Sequence, residues 1–224
     1  MSMIFINYKT YESGTGQNAI NLSKVFDELA HESQIKIIPV VQASDIKEIV
    51  SSTKLEVWVQ SIDSVEFGAH TGAVMPEAVL EDGATGTFLN HSENRFTSFD
   101  ELAKASDRAK EVGLKTLIFA KDLEELKNIC SLSPNYLAYE PPELVGSSTI
   151  SVAQAQPEVI SQAQEIAKSA SLPLIVGAGI HTREDIKKRL LEFSDPKSGE
   201  KIIDKVFFRE EIYSGPYLED AADI

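Results

Sequence analysis

The sequence predicts an α/β fold in which eight strands alternate with helices. Short apolar runs rich in β-branched residues recur along the chain, as expected for strands that are buried on both faces. Between these runs the apolar residues follow helical spacing. The eight runs cover residues 4–6, 37–41, 57–59, 85–89, 116–119, 136–139, 174–176 and 206–208. This alternation fits a closed barrel or a doubly wound open sheet, and periodicity does not distinguish the two.

Helical segments are visible as apolar residues three and four positions apart. One set is Leu22, Val25, Phe26 and Leu29, and a second is Val159, Ala163, Ile166, Ala167 and Ala170. Three helix starts are predicted from capping patterns. These are Ser98 with Glu101, Pro157 at a first helical position, and a weaker pattern of Thr182 with Asp185. The predicted starts fall between the strands and so support the alternation.

Composition indicates one globular domain over residues 1–224, since 42% of the residues are hydrophobic and no stretch has the composition of a linker. The net charge of −14 disfavours binding to nucleic acid or to an anionic membrane. The single cysteine, Cys130, allows no internal disulfide, and we expect it to pack in a core. The first residues lack the layout of a signal peptide, and no run reaches membrane-spanning length. We therefore expect a cytoplasmic protein.

Polar residues stand at the carboxyl ends of several predicted strands, which is where barrel enzymes carry their reactive groups. The first run ends in Asn7-Tyr-Lys9, and strand alternation places Asn7 and Lys9 on one side, toward the interior. The fourth run ends in a dense polar cluster that contains His91, where the strand passes into a loop or a short helix. At a helix N-terminus the charged form of His91 would be disfavoured, so that a neutral imidazole could polarise a carbonyl.

Two further strand ends carry a carboxylate and a pair of glycines. Glu140 follows the sixth run and precedes Pro141 and Pro142, a stiff segment that leads into a loop of small residues. Such a loop could cover Glu140 as a lid, and excluding water would favour proton abstraction next to a carbonyl. Gly177 and Gly179 follow the seventh run, where their backbone N–H groups could approach an anion. A salt-bridged loop carboxylate and a tight turn are the alternatives at these two positions.

Taken in order, five segments resemble the triosephosphate isomerases of the archaeal type. They are Asn7-Tyr-Lys9-Thr-Tyr11, His70-Thr-Gly72, Leu89-Asn-His-Ser-Glu-Asn-Arg95, Glu140-Pro-Pro-Glu-Leu-Val-Gly146 and Gly177-Ala-Gly-Ile180. Their order and spacing match the family from the N-terminus to about residue 190. The resemblance implies a single-domain (β/α)8 TIM barrel that interconverts dihydroxyacetone phosphate and glyceraldehyde 3-phosphate through a cis-enediolate. It also implies no metal, no organic cofactor, and a place in glycolysis and gluconeogenesis.

The resemblance implies a role for each matched residue. Lys9 and His91 polarise the substrate carbonyl and Asn7 orients the site. Glu93 supports Lys9, and Glu140 shuttles the proton. The residues that match the family's phosphate-binding segments are Val145, Gly146, Ser147, Gly177 and Gly179.

The segment formed by His70, Thr71 and Gly72 resembles the family loop that inserts beside the active site of a neighbouring subunit. We therefore expect a homodimer or a homotetramer with a symmetric interface. The expected small-molecule partner is a triose phosphate.

The eighth β/α unit is predicted to be atypical. Residues 204–216 include bulky and acidic side chains where the family has small residues that bind phosphate through backbone amides. Glu210 and Glu211 would repel a phosphate dianion if they faced it, whereas Arg209 could partly compensate. Alternatively, residues 214–215, a Ser-Gly pair, supply the amides from a shifted loop.

Two other functions stay open on the sequence alone. A catalytically weakened or inactive TIM-barrel homologue could act as a binding or regulatory protein if the eighth-strand loop no longer binds phosphate. Another phosphosugar barrel enzyme, such as an aldolase, would need a Schiff-base lysine deep in the barrel, and Lys9 on the first strand suits that role poorly. The matched catalytic residues favour the isomerase.

Overall fold

The computed structural model describes residues 3–33, 35–140, 157–177 and 205–209. The strands in these ranges are β1 Met3–Asn7, β2 Lys36–Val41, β3 Trp58–Val59, β4 Gly86–Leu89, β5 Lys115–Ala120, β6 Tyr136–Tyr139, β7 Leu174–Gly177 and β8 Lys205–Arg209. The helices are α1 Gln17–Ser33, α2 Ile46–Ser52, α3 Pro76–Glu81, α4 Phe99–Val112, α5 Leu123–Cys130 and α6 Pro157–Ser169, with 3-10 helices at Glu12–Gly14 and Ala43–Asp45. All eight predicted strands are confirmed, and their ends shift by at most one residue.

Every strand pairing is parallel, and strands that are consecutive in the chain are neighbours in the sheet. β1 pairs with β2 on one side and with β8 on the other, so that the described strands close on themselves. At the carboxyl end of β1, Asn7 lies level with Val40 and with Arg209. The β1–β8 pairing favours the barrel over the open sheet. The rest of the predicted eighth unit after Arg209, and the predicted helix start at Thr182 and Asp185, lie outside the described residues.

Strand alternation divides the apolar residues between an inner and an outer core. Phe5 of β1 lies in the inner core and meets Trp58 and Tyr136 edge to face. Its neighbour Ile6 belongs to the outer core, between the strands and the helices. The buried inner-core residues are Phe5, Ile38, Val40, Trp58, Phe88, Leu117, Phe119, Ala138 and Ile175.

Gly86 makes room for Trp58 inside the barrel. A Cβ atom at position 86 would lie 2.3 Å from Cε2 of the Trp58 ring, far inside van der Waals contact. Trp58 is fully buried and lies level with Gly86 on the neighbouring strand. The missing side chain in β4 therefore accommodates the largest side chain of the inner core.

The helices pack against the outer core. α1 buries Leu22 and Phe26, which belong to the predicted stripe, and α6 buries Ala163 and Ala167. Cys130 at the end of α5 is half-buried against the same core, and this burial raises the pKa of its thiol.

Two of the predicted helix starts are confirmed. Ser98 Oγ accepts a hydrogen bond from the backbone N–H of Glu101 at 3.2 Å and so caps α4. The Glu101 carboxylate accepts from the backbone N–H of Thr97 rather than of Ser98, so the returning half of the capping box is shifted by one residue. α6 begins at Pro157. Within the described ranges, no helix has the length and apolar character needed to span a membrane.

Candidate active site

Asn7 and Lys9 lie at the carboxyl end of β1 and are buried, with 4% and 8% of their surface exposed. The Asn7 Oδ1 atom accepts a hydrogen bond from the backbone N–H of Lys9 at 2.9 Å. The Lys9 ammonium donates to the carboxylate of Glu93, which lies 84 positions further along the chain. The expectation that Glu93 supports Lys9 therefore corresponds to a direct contact.

The backbone of Lys9 is left-handed, with φ of +50°. Gln60 Nε2 donates to the carbonyl oxygen of Lys9 at 2.7 Å and to that of Val40 at 3.4 Å. Since Asn7 holds the N–H of Lys9, both backbone polar groups of this residue have a partner. The sequence reasoning missed Gln60, although a polar residue directly after β3 fits the same strand-end rule that found Lys9.

His91 follows β4 and is 6% exposed. Its Nδ1 atom accepts a hydrogen bond from the backbone N–H of Glu93 at 3.2 Å. A ring nitrogen that accepts a hydrogen bond carries no proton, so this contact selects the neutral tautomer with its proton on Nε2. The ring also packs edge-on against Phe119, with ring centres 4.9 Å apart. The imidazole is thereby fixed in orientation and presents Nε2–H as a donor.

Of the loop and the short helix that the sequence leaves open after the fourth run, the structure shows a loop. The residues after it form a tight turn, closed by a hydrogen bond from the Asn94 N–H to the His91 carbonyl oxygen at 2.8 Å. Helix α4 begins only at Phe99. A helix dipole acts mainly within its first and last turns, so α4 does not account for a neutral His91. The donor that favours the neutral ring is the backbone N–H of Glu93.

Glu140 follows β6 directly and is 6% exposed. Its backbone N–H donates to the carbonyl oxygen of Ala120 in β5 at 3.0 Å, which extends the sheet ladder to the residue itself. Its Oε2 atom lies 3.7 Å from Nε2 of His91. A buried carboxylate thus faces a neutral imidazole across a gap longer than a hydrogen bond. This is an arrangement suited to acid–base chemistry on a small molecule.

The loop that carries His91 and Glu93, which we call the β4 loop (residues 90–96), is fixed by Glu125, for which no role was predicted from the sequence. Asn90 donates from Nδ2 to the Glu125 carboxylate at 3.1 Å, and Arg95 donates to the same carboxylate. The signal available in the sequence was the spacing of Asp122 and Glu125, which matches a capping pattern. That pattern marks the start of α5 but does not reveal the contact with the β4 loop.

One of the predicted phosphate-binding residues falls in the described part of the chain. Gly177 is the last residue of β7. Because Val176 lies level with Tyr139 of β6, Gly177 comes at the height of Glu140 in the sheet. The predicted positions outside the described residues are Val145, Gly146, Ser147 and Gly179.

The predicted oligomer loop lies between β3 and α3, and His70, Thr71 and Gly72 are all exposed. Gly72 has φ of +92°, a conformation that glycine adopts without strain. Phe67 in the same loop exposes 76% of its surface. With Asp63 and others, the loop lines an open cleft of about 520 Å³. The loop therefore exposes one large apolar side chain, that of Phe67.

The described residues contain no group of three or more His, Cys, Asp or Glu side chains placed to hold a metal ion. The buried cation of the site is balanced by a carboxylate, since Lys9 pairs with Glu93.

The family model for triosephosphate isomerase matches residues 2–192. The triosephosphate isomerase of Saccharolobus solfataricus is 40% identical over 189 residues, which cover 84% of this chain and 82% of that protein. The corresponding protein of Methanosarcina acetivorans is 39% identical over 189 residues, with 84% of each chain covered. That of Methanocaldococcus jannaschii is 35% identical over 190 residues, which cover 84% of this chain and 86% of that one. With matches of this extent, the chain belongs to the triosephosphate isomerase family.

Proposed function

We propose that this chain is a triosephosphate isomerase, which interconverts dihydroxyacetone phosphate and glyceraldehyde 3-phosphate through an enediolate. The observation that carries the proposal is the presence of three buried groups at the carboxyl ends of β1, β4 and β6. These are the Lys9 ammonium, the His91 imidazole and the Glu140 carboxylate. In barrel folds the carboxyl ends of the strands form one face, which we call the barrel mouth, and active sites lie there.

Glu140 has the role of the base. Its carboxylate takes a proton from the carbon next to the substrate carbonyl, and the electron pair of that C–H bond moves to form the enediolate. The same carboxylate then returns the proton to the neighbouring carbon, so that no proton is consumed. The burial of Glu140 keeps water away from the enediolate, which protects it from side reactions.

Lys9 and His91 act on the carbonyl oxygen of the substrate. Negative charge grows on that oxygen as the enediolate forms, and donors held in place beforehand stabilise it without reorganisation. His91 offers Nε2–H because its Nδ1 already accepts the Glu93 N–H. Lys9 offers its ammonium, which Glu93 holds in place. Asn7 orients Lys9 by accepting its backbone N–H.

The phosphate of the substrate is bound by backbone amides of Val145, Gly146, Ser147, Gly177 and Gly179. The position of Gly177 at the end of β7, at the height of Glu140, supports this assignment. A residue without Cβ lets an anion approach the backbone closely. Local amides are needed because the net charge of −14 repels a dianion at longer range.

The whole chain, residues 1–224, is proposed to form one (β/α)8 TIM-barrel domain with an atypical eighth unit. It assembles as a homodimer or homotetramer through residues 70–72, and the exposed Phe67 in the same loop supports an interface there. The reaction uses no metal and no organic cofactor, since side chains supply both the proton transfer and the carbonyl polarisation. The single cysteine supports a cytoplasmic location, and the substrate supports a role in glycolysis and gluconeogenesis.

The catalytic proposal is tested by a coupled assay with glyceraldehyde 3-phosphate, using protein made in a host that lacks its own isomerase. We expect turnover that scales with protein concentration and is unchanged by a metal chelator. A folded protein that binds a triose phosphate but shows no turnover would contradict the proposal and favour the binding or regulatory alternative. The family membership and the buried Lys9, His91 and Glu140 favour the enzyme.

A further inference from the structure

We infer that Glu125 is a positioning residue, which holds His91 and Glu93 in their working geometry through Asn90 and Arg95. Glu125 lies in the first turn of α5, after β5, and is not at a strand end. The inferred effect on turnover rests on the proposed function, whereas the inferred effect on the geometry of His91 does not.

The Glu125 carboxylate accepts hydrogen bonds from three partners. Oε1 accepts from Nδ2 of Asn90 at 3.1 Å, and Oε2 accepts from the backbone N–H of Lys121 at 2.7 Å. Nη2 of Arg95 lies within hydrogen-bond distance of both oxygens. The backbone N–H of Glu125 donates to the Asp122 side chain at 2.8 Å, which caps α5. One carboxylate therefore ties the rigid start of a helix to both ends of the β4 loop.

Asn90 carries this constraint to His91. Its φ is +61°, and its side chain spans the base of the β4 loop. Oδ1 accepts the backbone N–H of Phe96 at 3.3 Å, while Nδ2 donates to the carbonyl oxygen of Phe119 at 3.0 Å as well as to Glu125. The loop is thereby closed on itself and anchored to β5. Within it lies the hydrogen bond from the Glu93 N–H to His91 Nδ1, which selects the ring tautomer.

The charge of Glu125 is needed for this role, because each of its partners is a donor. The Arg95–Glu125 pair is largely shielded, with 28% and 21% of the two side chains exposed. Hydrogen bonds between ionised groups are roughly twice as strong as neutral ones. A glutamine at position 125 would keep one oxygen but turn an NH2 group toward another donor. Glu125→Gln therefore disrupts the hydrogen bonds that join α5 to the β4 loop, while it preserves the size of the side chain.

The chain offers a matched control at the opposite end of the barrel. Glu56 also accepts from several donors, including Lys36, Lys115 and the Trp58 ring N–H. The Lys36–Glu56 pair is shielded to a similar degree, with 28% and 17% of the side chains exposed. Glu56→Gln thus removes a comparable junction that is remote from His91. A second test variant, Asn90→Gly, keeps the left-handed backbone available but removes the side-chain links.

The experiment measures kcat, KM and the ring nitrogens of His91 in the full chain. We expect Glu125→Gln and Asn90→Gly each to lower kcat by between about tenfold and about 100-fold, with little change in KM, because small displacements of catalytic groups have effects of this size. The loss in the double variant should be smaller than the product of the two single losses, because both substitutions disrupt the same contacts between Glu125 and the β4 loop. Glu56→Gln should stay within about twofold of the wild type, because distant sites act independently.

Nitrogen-15 NMR of labelled histidine measures the His91 ring nitrogens, whose signals would stay unchanged if Glu125 had a merely structural role. His91 is one of four histidines, and His91→Asn assigns its signals by subtraction. The wild type and Glu56→Gln should show a single tautomer with the proton on Nε2, whereas Glu125→Gln and Asn90→Gly should show a mixture of tautomers. Unchanged His91 signals in both test variants would overturn the inference, whatever their kcat. If the wild type lacks turnover, the proposed function fails and the NMR comparison still decides the role of Glu125.

Discussion

Lys9 has a backbone conformation that is unfavourable for a residue with a Cβ atom. The left-handed conformation costs roughly 1–2 kcal/mol for such a residue, and Lys9 adopts it with φ of +50°. Asn7, Gln60 and Glu93 together hold its N–H, its carbonyl oxygen and its ammonium. Strain of this kind persists where the surroundings over-determine the conformation, and it concentrates at functional sites. Lys9 is therefore fixed by the last residue of β1 and by residues that follow β3 and β4.

Glu140→Gln tests the proposed base at the scale of one residue. We expect kcat to fall by on the order of 10²–10⁴-fold with the fold intact, because the substitution removes the base and nearly preserves its shape. Steady-state kinetics and circular dichroism measure the two effects. Glu124→Gln, which alters an exposed glutamate, is the control and should behave as the wild type. A loss of less than roughly tenfold in a folded variant would exclude Glu140 as the proton shuttle.

The two ends of the strands have different roles in the molecule. Their carboxyl ends carry Lys9, His91 and Glu140, while charged residues at their amino ends form a junction around Glu56. Between the two ends lies the apolar inner core, in which Phe5, Trp58 and Phe88 pack edge to face or tilted. Substitutions in the inner core or at the amino ends of the strands are therefore expected to change stability rather than turnover.

Gly86→Ala tests the packing between β3 and β4. The added methyl group would lie 2.3 Å from the Trp58 ring, so the ring and the side chains packed around it have to shift. We expect the free energy of unfolding to fall by about 1–3 kcal/mol, which is typical of overpacking. Urea denaturation measures the loss. Trp58→Phe combined with Gly86→Ala should cost less than the two single substitutions together, and additive losses would show that the clash is not the cause.

Replacement of residues 210–212 tests the element after β8. β8 ends at Arg209, level with Asn7, and two acidic residues follow it directly in the sequence. We predict weaker substrate binding than is usual for the family. A Gly-Ser-Gly replacement that leaves β8 intact should lower KM by roughly fivefold if about 1 kcal/mol of charge repulsion is relieved. The separate variants Glu210→Gln and Glu211→Gln identify which carboxylate acts. Family-level kcat/KM in the unaltered protein would refute this prediction.

The junction at the amino ends of β2, β3 and β5 makes stability depend on pH. Burial alone would raise the pKa of Glu56, but hydrogen bonds from Lys36, Trp58 and Lys115 outweigh it and lower the pKa from 4.5 to about 2. The folded state therefore keeps this carboxylate ionised at pH values where the unfolded chain protonates it. The resulting stability, on the order of 3 kcal/mol, is complete above about pH 4.5 and is lost as the pH falls toward about 2.

Glu56→Gln tests this dependence. The variant should be less stable than the wild type at pH 7, and the difference between the two should shrink as the pH falls from about 4.5 toward about 2. Urea denaturation at a series of pH values measures the difference, with Glu124→Gln expected to follow the wild type. A gap that stays constant over this range would mean that Glu56 contributes through packing rather than charge.

At the scale of the whole molecule, the exposed loop after β3 leads us to expect an assembly. Phe67→Asp should shift the proposed homodimer or homotetramer toward monomer, because it places a charge in the expected interface. Sedimentation equilibrium measures the shift. Leu80→Asp, at another apolar position that is 40% exposed, is the control. A wild-type protein that is monomeric at micromolar concentration and fully active would be incompatible with the expected assembly.

The sequence by itself determined the alternation of strands and helices and the residues that close each strand. Both follow from local rules, since burial on two faces produces continuous apolar runs and parallel strands bring their carboxyl ends to one face. Asn7, Lys9, His91 and Glu140 could be named for this reason. The strand ends were predicted to within one residue because polar or turn residues border each apolar run.

Only the tertiary structure decided what holds those residues in place. The contacts of Lys9 with Gln60 and Glu93 join positions 51 and 84 residues apart, and Asn90 meets Glu125 across 35 residues. Helical and strand periods describe neighbours along the chain and carry no information about such distant pairs. The same limit applies to His91, where the sequence left a loop or a short helix open and the structure shows one backbone N–H in a turn that donates to the ring. Sequence periodicity likewise could not predict the β1–β8 pairing, because the first and last strands meet only once the sheet has curled.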